Sequence, residues 1–430
     1  MITLIGSFTS VLTGILNVVL AFVILMIMIT IHEFGHYTAG KLLKFKINEF
    51  SIGMGPKIFS KTKKDGQLFS IRALPIGGYC AFEGEDEDNQ SEGAFNKQAP
   101  WKRLIVLFSG AFFNFLSAIL FCAILFASYG ETVATIGKTF DYAPTEVRSL
   151  DSRDIIYEVN GKRVYLIDSL TRYLSDDELT VTVLRYEDGY KSKKTITVKK
   201  GTFTNAYVNR EYSSYVIGEV NGEQVHLTQG VMIYRINGVA LSAEGDYEKI
   251  VNALNDEDNV SVTFYAYGQE FEVVMSKADL QYIATYEQTY SGLGISPVYA
   301  RHKFDFGTAT LRILPYCGET GLVILRTLGG IFTGATPLNS LGGPVTTIST
   351  VSQVVSYGFA PVLLMFVLIS INLAVFNLLP VPALDGCRMV FVLIEWIAGK
   401  PVNRKVEAWI NGIGLILLIG FMIVVDLLKL

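Results

Sequence analysis

The sequence predicts a polytopic α-helical membrane protein with about four transmembrane helices. Half of the 430 residues are hydrophobic and only 18% are charged, which is less charge than a soluble chain of this length carries. The uncharged residues are also concentrated in four stretches, 1–31, 104–130, 327–384 and 408–425. Because a bilayer-spanning helix needs about 20 mostly apolar residues, each stretch can hold one span.

The third stretch is too long for a single helix. It is interrupted at Pro337, Gly342, Gly343 and Pro344, so its span is predicted at 357–379. The preceding segment 311–333 contains two arginines, a glutamate and a proline and fits an amphipathic helix lying at the interface better than a fifth span. The first stretch has no basic residues before it and no small-residue cleavage site after it, so we expect it to be retained rather than removed as a signal peptide.

Basic residues indicate the orientation of these spans. They are concentrated between the first two spans and after the third span, and both segments should therefore face the cytoplasm. The region 131–305 and both termini would then lie outside. Four parts follow: 1–130 with the first two spans, 131–212 and 213–305 as two external domains, and 306–430 with interfacial helices and the last two spans.

The external region contains an internal repeat. Asp154–Val164 and Val231–Leu241 each read as an alternating strand that turns at an Asn-Gly pair, a strong hairpin signal. In both copies a short strand precedes this segment, and a short helix and a strand pair follow it. This order resembles a circularly permuted PDZ domain, and it predicts two extracytoplasmic PDZ-like α+β domains in tandem. Peptide capture at a sheet edge and a purely steric role remain equally open.

A β-hairpin is predicted between the first two spans. Asp65-Gly66 separates alternating segments at 57–63 and 68–72 within the Ile-, Phe- and Gly-rich stretch 50–79. We expect this hairpin to be membrane-associated and to lie near the residues that end the first span.

Those residues are His32-Glu33-Phe34-Gly35-His36. Residues four apart lie on one face of a helix, so both imidazoles can ligate one metal while Glu33 stands beside them. Such a glutamate can take a proton from a metal-activated water. A chance pairing of polar residues at a helix end is disfavoured, because ionisable groups in a membrane span are costly and usually functional.

A catalytic zinc site needs a third protein ligand, and Asp385 is the best candidate. It lies in the segment Asn377–Gly386, where Pro380 and Pro382 end the third span on the side predicted to hold His36. Cys387 is a possible competitor, since thiolate also binds zinc, but a small packing role suits it better. The alternative for Asp385 is a solvated residue in an ordinary Pro-rich loop.

The HEFGH segment, the NLLPVPALDG segment, the stretch Gly110–Asn114 and the repeat-bearing region together resemble the site-2 protease family of intramembrane zinc metalloproteases, of the bacterial regulator of sigma-E protease type. The resemblance covers nearly the whole chain. It implies Zn²⁺ held by His32, His36 and Asp385, with Glu33 as the catalytic base. It also implies a bacterial cytoplasmic-membrane location and single-span membrane protein substrates, such as anti-sigma factors or signal-peptide remnants, already trimmed by another protease.

Three further residues are candidates for substrate contact through this resemblance. Asn372 and Asn377 of the third span would hold substrate backbone, although interhelical hydrogen bonding is an equal alternative. The hairpin near Ile71 would pair with an unwound substrate strand. A non-enzymatic PDZ-bearing membrane adaptor and a metal transporter are the rival functions. The net charge of −4 gives no indication of a nucleic-acid partner.

Overall fold

The computed structural model describes residues 2–85, 89, 91–139, 145–166, 169–170, 178–187, 190–199, 206–208, 212–220, 222–228, 231–241, 246–255, 259–266, 269–286 and 295–428. The chain divides into two compact units, one formed by residues 1–130 and 303–430 and the other by residues 131–302. The first unit is mainly helical, and the second is mainly β-structure.

The helices are α1 (Ile2–Leu42), α2 (Pro100–Tyr129), α3 (Thr145–Arg148), α4 (Asp246–Asn252), α5 (Lys277–Ile283), α6 (Phe306–Thr333), α7 (Pro344–Ser356), α8 (Phe359–Asn377), α9 (Asp385–Ala398) and α10 (Arg404–Leu427). The strands are β1 (Ile47–Thr62), β2 (Leu68–Phe82), β3 (Glu131–Thr139), β4 (Ile155–Val159), β5 (Lys162–Arg163), β6 (Glu178–Glu187), β7 (Tyr190–Lys199), β8 (Ala206–Val208), β9 (Tyr212–Val220), β10 (Glu223–Leu227), β11 (Met232–Ile236), β12 (Val239–Ala240), β13 (Asn259–Ala266), β14 (Gln269–Ser276), β15 (Ala284–Tyr286) and β16 (Ile295–His302).

Within the described part of the chain, four helical segments are long and apolar enough to cross a membrane. They are Gly14–Leu42, Pro100–Tyr129, Phe359–Asn377 and Lys405–Leu427. The prediction of a multi-pass membrane protein is therefore confirmed. Helix α6 is not among these spans, in keeping with the polar residues that disfavoured a fifth one.

Helix α1 continues beyond the uncharged stretch that predicted it. The HEFGH segment lies inside the helix rather than at its end, because none of its residues interrupts helical geometry and the backbone first turns left-handed at Lys44 (φ 64°). A hydrogen bond from the amide of Phe45 to the carbonyl of Gly40 (2.8 Å) closes this end. The motif is thereby held on a rigid helix on both sides.

Helices α1 and α2 pack closely where small residues face each other. A Cβ atom added at Gly35 would lie 2.4 Å from the carbonyl oxygen of Ser109, so only glycine permits this approach. Beside the contact, a buried aromatic cluster joins the end of α1, the β1–β2 hairpin and the start of α2, and its rings belong to Phe45, Phe50, Phe82 and Phe95. This packing fixes the hairpin next to the HEFGH helix.

The hairpin predicted around Asp65-Gly66 is present. Strands β1 and β2 are antiparallel, with Thr62 opposite Leu68 and Phe59 opposite Ile71, and Gly66 adopts φ 84° in the turn. On this sheet, the Glu49 carboxylate accepts hydrogen bonds from Ser70 Oγ (2.6 Å) and Arg72 Nη2 (2.9 Å). Partial burial acts to raise the pKa of Glu49, but these hydrogen bonds hold it below its ordinary value, so the carboxylate stays charged and links the strands.

The unit of residues 131–302 contains two sheets and a separate hairpin in its described residues. The first sheet has the order β16-β3-β4-β6-β7, with β5 paired to β4; the second has the order β14-β13-β11-β8-β15, with β12 paired to β11. Strands β9 and β10 form the hairpin. Each sheet has its own buried apolar cluster. The predicted repeat is visible at its turns, where Asn160 and Asn237 adopt φ 51° and 49° and each precedes a glycine of positive φ.

The sheets do not divide at the predicted boundary between 131–212 and 213–305. Strand β8 precedes that boundary yet pairs with β11 and β15 of the second sheet, and β16 follows the second repeat yet pairs with β3 of the first sheet. The reason is that these strands pair with partners distant in sequence, and the local alternation of residues carries no information about such partners. The outer limit at residues 130 and 131 coincides with the boundary between the two units.

Candidate metal centre

Helix α1 places both imidazoles of the HEFGH segment on one face. His32 and His36 are separated by one helical turn, and their Nε2 atoms lie 3.1 Å apart. Both side chains are buried, each with 7% of its surface exposed. Two imidazole nitrogens that converge in a buried site are therefore available to one cation.

The turn between α8 and α9 brings Asp385 to these imidazoles. Helix α8 ends at Asn377, the segment with the two prolines cannot continue it, and α9 begins at Asp385 itself. The Asp385 Oδ2 atom lies 2.9 Å from His32 Nε2 and 3.3 Å from His36 Nε2. These three residues form a group whose ligand atoms all lie within 4.8 Å of one another, and such a group could hold a metal ion.

The chemistry of the donor set fits zinc. Two imidazole nitrogens and one carboxylate oxygen form a three-ligand set that leaves a fourth tetrahedral position open. Ligand atoms about 2.1 Å from a tetrahedral zinc lie about 3.4 Å apart. The separations in this site, 2.9, 3.1 and 3.3 Å, are all within about 0.5 Å of that spacing, so the residues present fit the ion.

Cys387 is not part of this group. It lies in the first turn of α9, where it is buried and its amide donates to the carbonyl of Leu384 (3.1 Å). Burial raises the pKa of its thiol, which disfavours the thiolate form that binds metals. Burial likewise acts to raise the pKa of Asp385, but the neighbouring imidazoles His36 and His32 hold it below its ordinary value. The aspartate is therefore the residue already in the ligating form.

The outer nitrogens of the imidazoles are held by α2. His36 Nδ1 donates to the carbonyl oxygen of Val106 (2.8 Å), so Nε2 is the nitrogen of the neutral imidazole that can bind a cation. The side-chain amide of Asn114 lies beside His32 Nδ1, with its nitrogen 3.1 Å away, while its buried Oδ1 has no hydrogen-bond partner among the described residues. A half-turn of this amide would give a protonated Nδ1 an acceptor, and it would satisfy the orphaned oxygen as well.

Gly110 provides the room for the site on the α2 side. A Cβ atom added there would lie 2.5 Å from His36 Nε2 and 2.7 Å from His32 Nε2, so any other residue at this position would crowd both nitrogens. Glycine at position 110 and asparagine at position 114 lie one turn apart on one face of α2. This face therefore supplies a gap and a polar partner to the two imidazoles.

Glu33 is held beside the imidazoles by the hairpin. Its Oε2 atom accepts a hydrogen bond from the backbone amide of Cys80 in β2 (3.0 Å). Its other oxygen, Oε1, makes no hydrogen bond within the described residues. The sheet is thus joined directly to the one carboxylate of the motif.

The three residues predicted to contact substrate differ in their contacts and in their exposure. The Asn377 amide nitrogen lies 3.4 Å from His32 Nδ1, so this residue makes an interhelical contact between α8 and α1. Asn372 lies on the same helix with its side chain exposed. Ile71 is 39% exposed and pairs with Ile52 and Phe59 of β1.

The fold and the site define a multi-pass membrane protein with a buried centre of two histidines and one carboxylate, next to a glutamate. The sequence model of peptidase family M50 matches residues 20–421. Zinc metalloprotease RasP of Shouchella clausii is 28% identical over 453 residues, covering 95% of this chain and 98% of that protein. Regulator of sigma E protease of Haemophilus influenzae is 23% identical over 427 residues, covering 92% and 94%. A Fusobacterium nucleatum relative is 30% identical over 420 residues, covering 95% and 96%.

The chain belongs to peptidase family M50, the site-2 protease family, and is a zinc metalloprotease. The family, enzyme class and cofactor expected from the sequence are therefore confirmed. Sequence reasoning did not assign the positions of Gly110 and Asn114 against the imidazoles. The available signal was their spacing, since residues four apart on the second span share a face, but that spacing does not reveal which neighbour the face contacts.

Proposed function

We propose that His32, His36 and Asp385 bind the catalytic zinc and that Glu33 is the general base. The observation that carries this assignment is the convergence of the three ligand atoms within 4.8 Å of one another. Three further observations support it. The donor set suits zinc, the lack of a side chain at Gly110 leaves room beside both Nε2 atoms, and the hydrogen bond from His36 Nδ1 to Val106 fixes the orientation of that ring. Zinc, when bound, lowers the pKa of a coordinated water to about 7 and polarises a carbonyl group.

The residues of the chain would then perform the proton transfers of peptide hydrolysis. Glu33 takes the proton of the attacking water on Oε1, while the amide of Cys80 holds Oε2 and fixes the orientation of the carboxylate. The same carboxylate returns the proton to the leaving amine. Asp385 keeps its charge and orients both imidazoles, and the surrounding packing excludes bulk water from the buried pair.

The position of the motif supports cleavage in or near the transmembrane segment of a substrate. The first span, Gly14–Leu42, has 29 residues and is about 43 Å long, longer than the hydrocarbon core of about 30 Å. His32 precedes its end by ten residues, about 15 Å. A site at this depth is close to one membrane interface, and the distribution of basic residues assigns it to the cytoplasmic side.

The hairpin is proposed to bind the substrate strand. A helical peptide bond is shielded by its own hydrogen bonds, so the substrate must unwind before attack. The link between β2 and Glu33 through Cys80 supports this role, because a strand added to this sheet would run past the catalytic base. Ile71→Pro should abolish cleavage and leave zinc bound; cleavage at the original rate would refute the hairpin's role.

Asn372 is proposed to contact substrate backbone. Its exposed side chain on α8 supports that role. Asn377 is assigned to both roles, since its amide already contacts His32. A cleavage assay distinguishes them: Asn372→Leu should raise KM with zinc content intact, whereas Asn377→Leu should also lower the zinc affinity.

The proposed substrates are single-span membrane proteins already shortened outside by another protease, with anti-sigma factors and signal-peptide remnants as the classes. The name of the Haemophilus influenzae relative supports the first class. Residues 131–305 would form two PDZ-like domains on the external side of a bacterial cytoplasmic membrane and exclude proteins with bulky external domains. Deletion of this region should allow untrimmed substrates to be cut, and continued rejection would contradict the filter.

The deciding experiment compares three purified proteins in detergent with a single-span model substrate. Glu33→Gln preserves the acceptor for Cys80 and should bind zinc fully while losing about 10²- to 10⁴-fold in rate. Asp385→Ala should lose both zinc and activity. Unchanged cleavage by Glu33→Gln, or full zinc content in Asp385→Ala, would overturn the corresponding assignment. Cellular function that survives both substitutions would favour the adaptor role instead.

A further inference from the structure

The turn that carries Asp385 is strained. Ala383 adopts φ 75°, a left-handed conformation that costs a non-glycine residue free energy and persists only where the surroundings hold it. Three residues beyond the strained position, Gly386 lies against the end of α8, where an added Cβ would be 2.3 Å from the carbonyl oxygen of Leu379. The backbone on the α8 side is therefore closely packed, and the strain must be held from another side.

Helix α10, the last span, supplies that contact. The amide of Ala383 donates to Asn411 Oδ1 (3.2 Å). One turn further along α10, Gly414 lies so close to Pro382 that an added Cβ would be 2.0 Å from the proline Cβ. Asn411 and Gly414 share a helix face because they are three residues apart. This face contacts Pro382 and Ala383, which precede Asp385 in the turn.

Helix α10 is closely packed at only two places along its described residues. Among its described side chains, Gly414 and Val425 are the buried ones. The second point is next to Asp426, whose carboxylate accepts hydrogen bonds from the amides of Val345 (2.9 Å) and Thr346 (3.0 Å) at the start of α7. Most of the other described side chains of the helix are exposed, so the contact with the Asp385 turn is one of the two places where α10 packs closely against the rest of its unit.

The turn has space in which to relax. Ala383, Asp385 and Asn411 line a cavity of about 380 Å³, which is large enough for several water molecules. Packing therefore does not confine the turn on that side. If the hydrogen bond from Ala383 to Asn411 is lost, the backbone can leave the left-handed conformation and take Asp385 with it.

We infer that Asn411 and Gly414 of the last span are positioning residues for Asp385: they hold the strained turn at Ala383 so that the carboxylate meets the two imidazoles. The inference rests on the proposed role of Asp385 as a zinc ligand. The contacts of these two residues with the turn are to Ala383 and Pro382, and not to the imidazoles themselves. The last span thus acts on the metal centre through the backbone of the turn and not only as a membrane anchor.

The first test compares two glycine-to-alanine substitutions on the same helix, α10. Gly414→Ala should weaken zinc binding about tenfold, the lower end of the effect of residues that orient a metal ligand. Gly420→Ala is the control, because an added Cβ at position 420 meets nothing within 4 Å, and its zinc affinity should equal that of the unaltered protein. The measurement is competition between the full-length protein in detergent and a zinc chelator, with thermal unfolding of the zinc-free forms recorded in parallel. Equal affinities for the two variants would overturn the inference.

The second test asks whether Asn411 acts through the strain at Ala383. Asn411→Leu has a similar volume but no acceptor and should also weaken zinc binding about tenfold. Glycine adopts positive φ readily, so adding Ala383→Gly to that variant should restore most of the affinity. If Asn411→Leu weakens zinc binding and the added Ala383→Gly does not restore the affinity, then Asn411 does not hold the strained backbone and the inference fails.

Asp385→Asn separates this inference from the site assignment. If Asp385→Asn binds zinc as tightly as the unaltered protein, the proposed ligand is wrong and the inference falls with it. If Asp385→Asn loses zinc while Gly414→Ala and Asn411→Leu retain it, the ligand stands and only the role of the last span is refuted. Each pattern of affinities therefore points to one conclusion.

Discussion

The most informative perturbation of the metal centre is at Asn114, which touches a proposed ligand without being one. The side chain is fully buried and its amide lies 3.1 Å from His32 Nδ1. When His32 binds a cation through Nε2, its Nδ1 carries the proton and needs an acceptor. The orphaned Asn114 Oδ1 can serve as that acceptor, so Asn114→Leu would remove the nearer acceptor and leave this buried N–H group only the more distant amide of Asn377, 3.4 Å from His32 Nδ1.

The magnitude follows from the cost of that orphaned group. A buried donor without a partner costs about 1–3 kcal/mol, and each 1.4 kcal/mol corresponds to a factor of ten in affinity. Asn114→Leu should therefore weaken zinc binding between about fivefold and about 150-fold. Asn114→Asp retains an acceptor of the same shape, and carboxylates commonly hold the outer nitrogen of zinc-bound histidines, so it should keep at least the affinity of the unaltered protein.

The assay is zinc competition with a chelator in detergent, and Ser117→Ala is the matched control. Ser117 lies one turn further along the same buried face, and its hydroxyl bonds to the carbonyl of Asn114 (2.8 Å) and to Ser370 (3.2 Å). Its removal also breaks buried hydrogen bonds, yet none of them involves His32. Equal zinc affinity for Asn114→Leu and Ser117→Ala would refute the reasoning. Equal losses for the leucine and aspartate variants would show that side-chain packing, and not the acceptor, matters.

Two further substitutions test the surroundings of the site. Gly110→Ala should abolish zinc binding, because the added methyl group would lie 2.5 Å from His36 Nε2; Gly318→Ala, where an added Cβ meets nothing within 4 Å, should bind zinc normally in the same assay. The ion pair between Arg103 and Glu395 joins α2 to α9 and both side chains are buried, so Glu395→Ala should lower the free energy of unfolding by about 3 kcal/mol. The paired replacement of Arg103 by Met and Glu395 by Leu should recover part of that loss in denaturant unfolding, and an unrecovered loss would contradict the charge argument.

The parts of the fold that follow from local patterns were predictable. The four spans required only the length and composition of apolar stretches, and the two imidazoles required only the four-residue spacing of a helix. The hairpin at Asp65-Gly66 and the repeated Asn-Gly turns also follow from local chemistry, because few residues adopt the positive φ that such turns need. Each of these features is determined by residues close together in the sequence.

The remaining features depend on tertiary contacts. The pairing of β16 with β3 joins strands that are distant in sequence, and nothing in their composition specifies the partner. The contact of Asn114 with His32 depends on which face of the second span meets the first. The left-handed conformation of Ala383 is contrary to the preference of alanine, so a sequence pattern could not have indicated it.

The metal centre depends both on local sequence and on tertiary contacts. The imidazoles and Glu33 are placed by a single helix, whereas Asp385 is 353 residues from His32 along the chain and reaches it only when α1, α2, α8 and the turn after α8 are packed together. Changes in the packing of distant segments should therefore act first on the third ligand and leave Glu33 in place. Zinc affinity, more than the position of the catalytic base, then reports whether the helices are correctly assembled, because one ligand depends on the whole bundle and the other two do not.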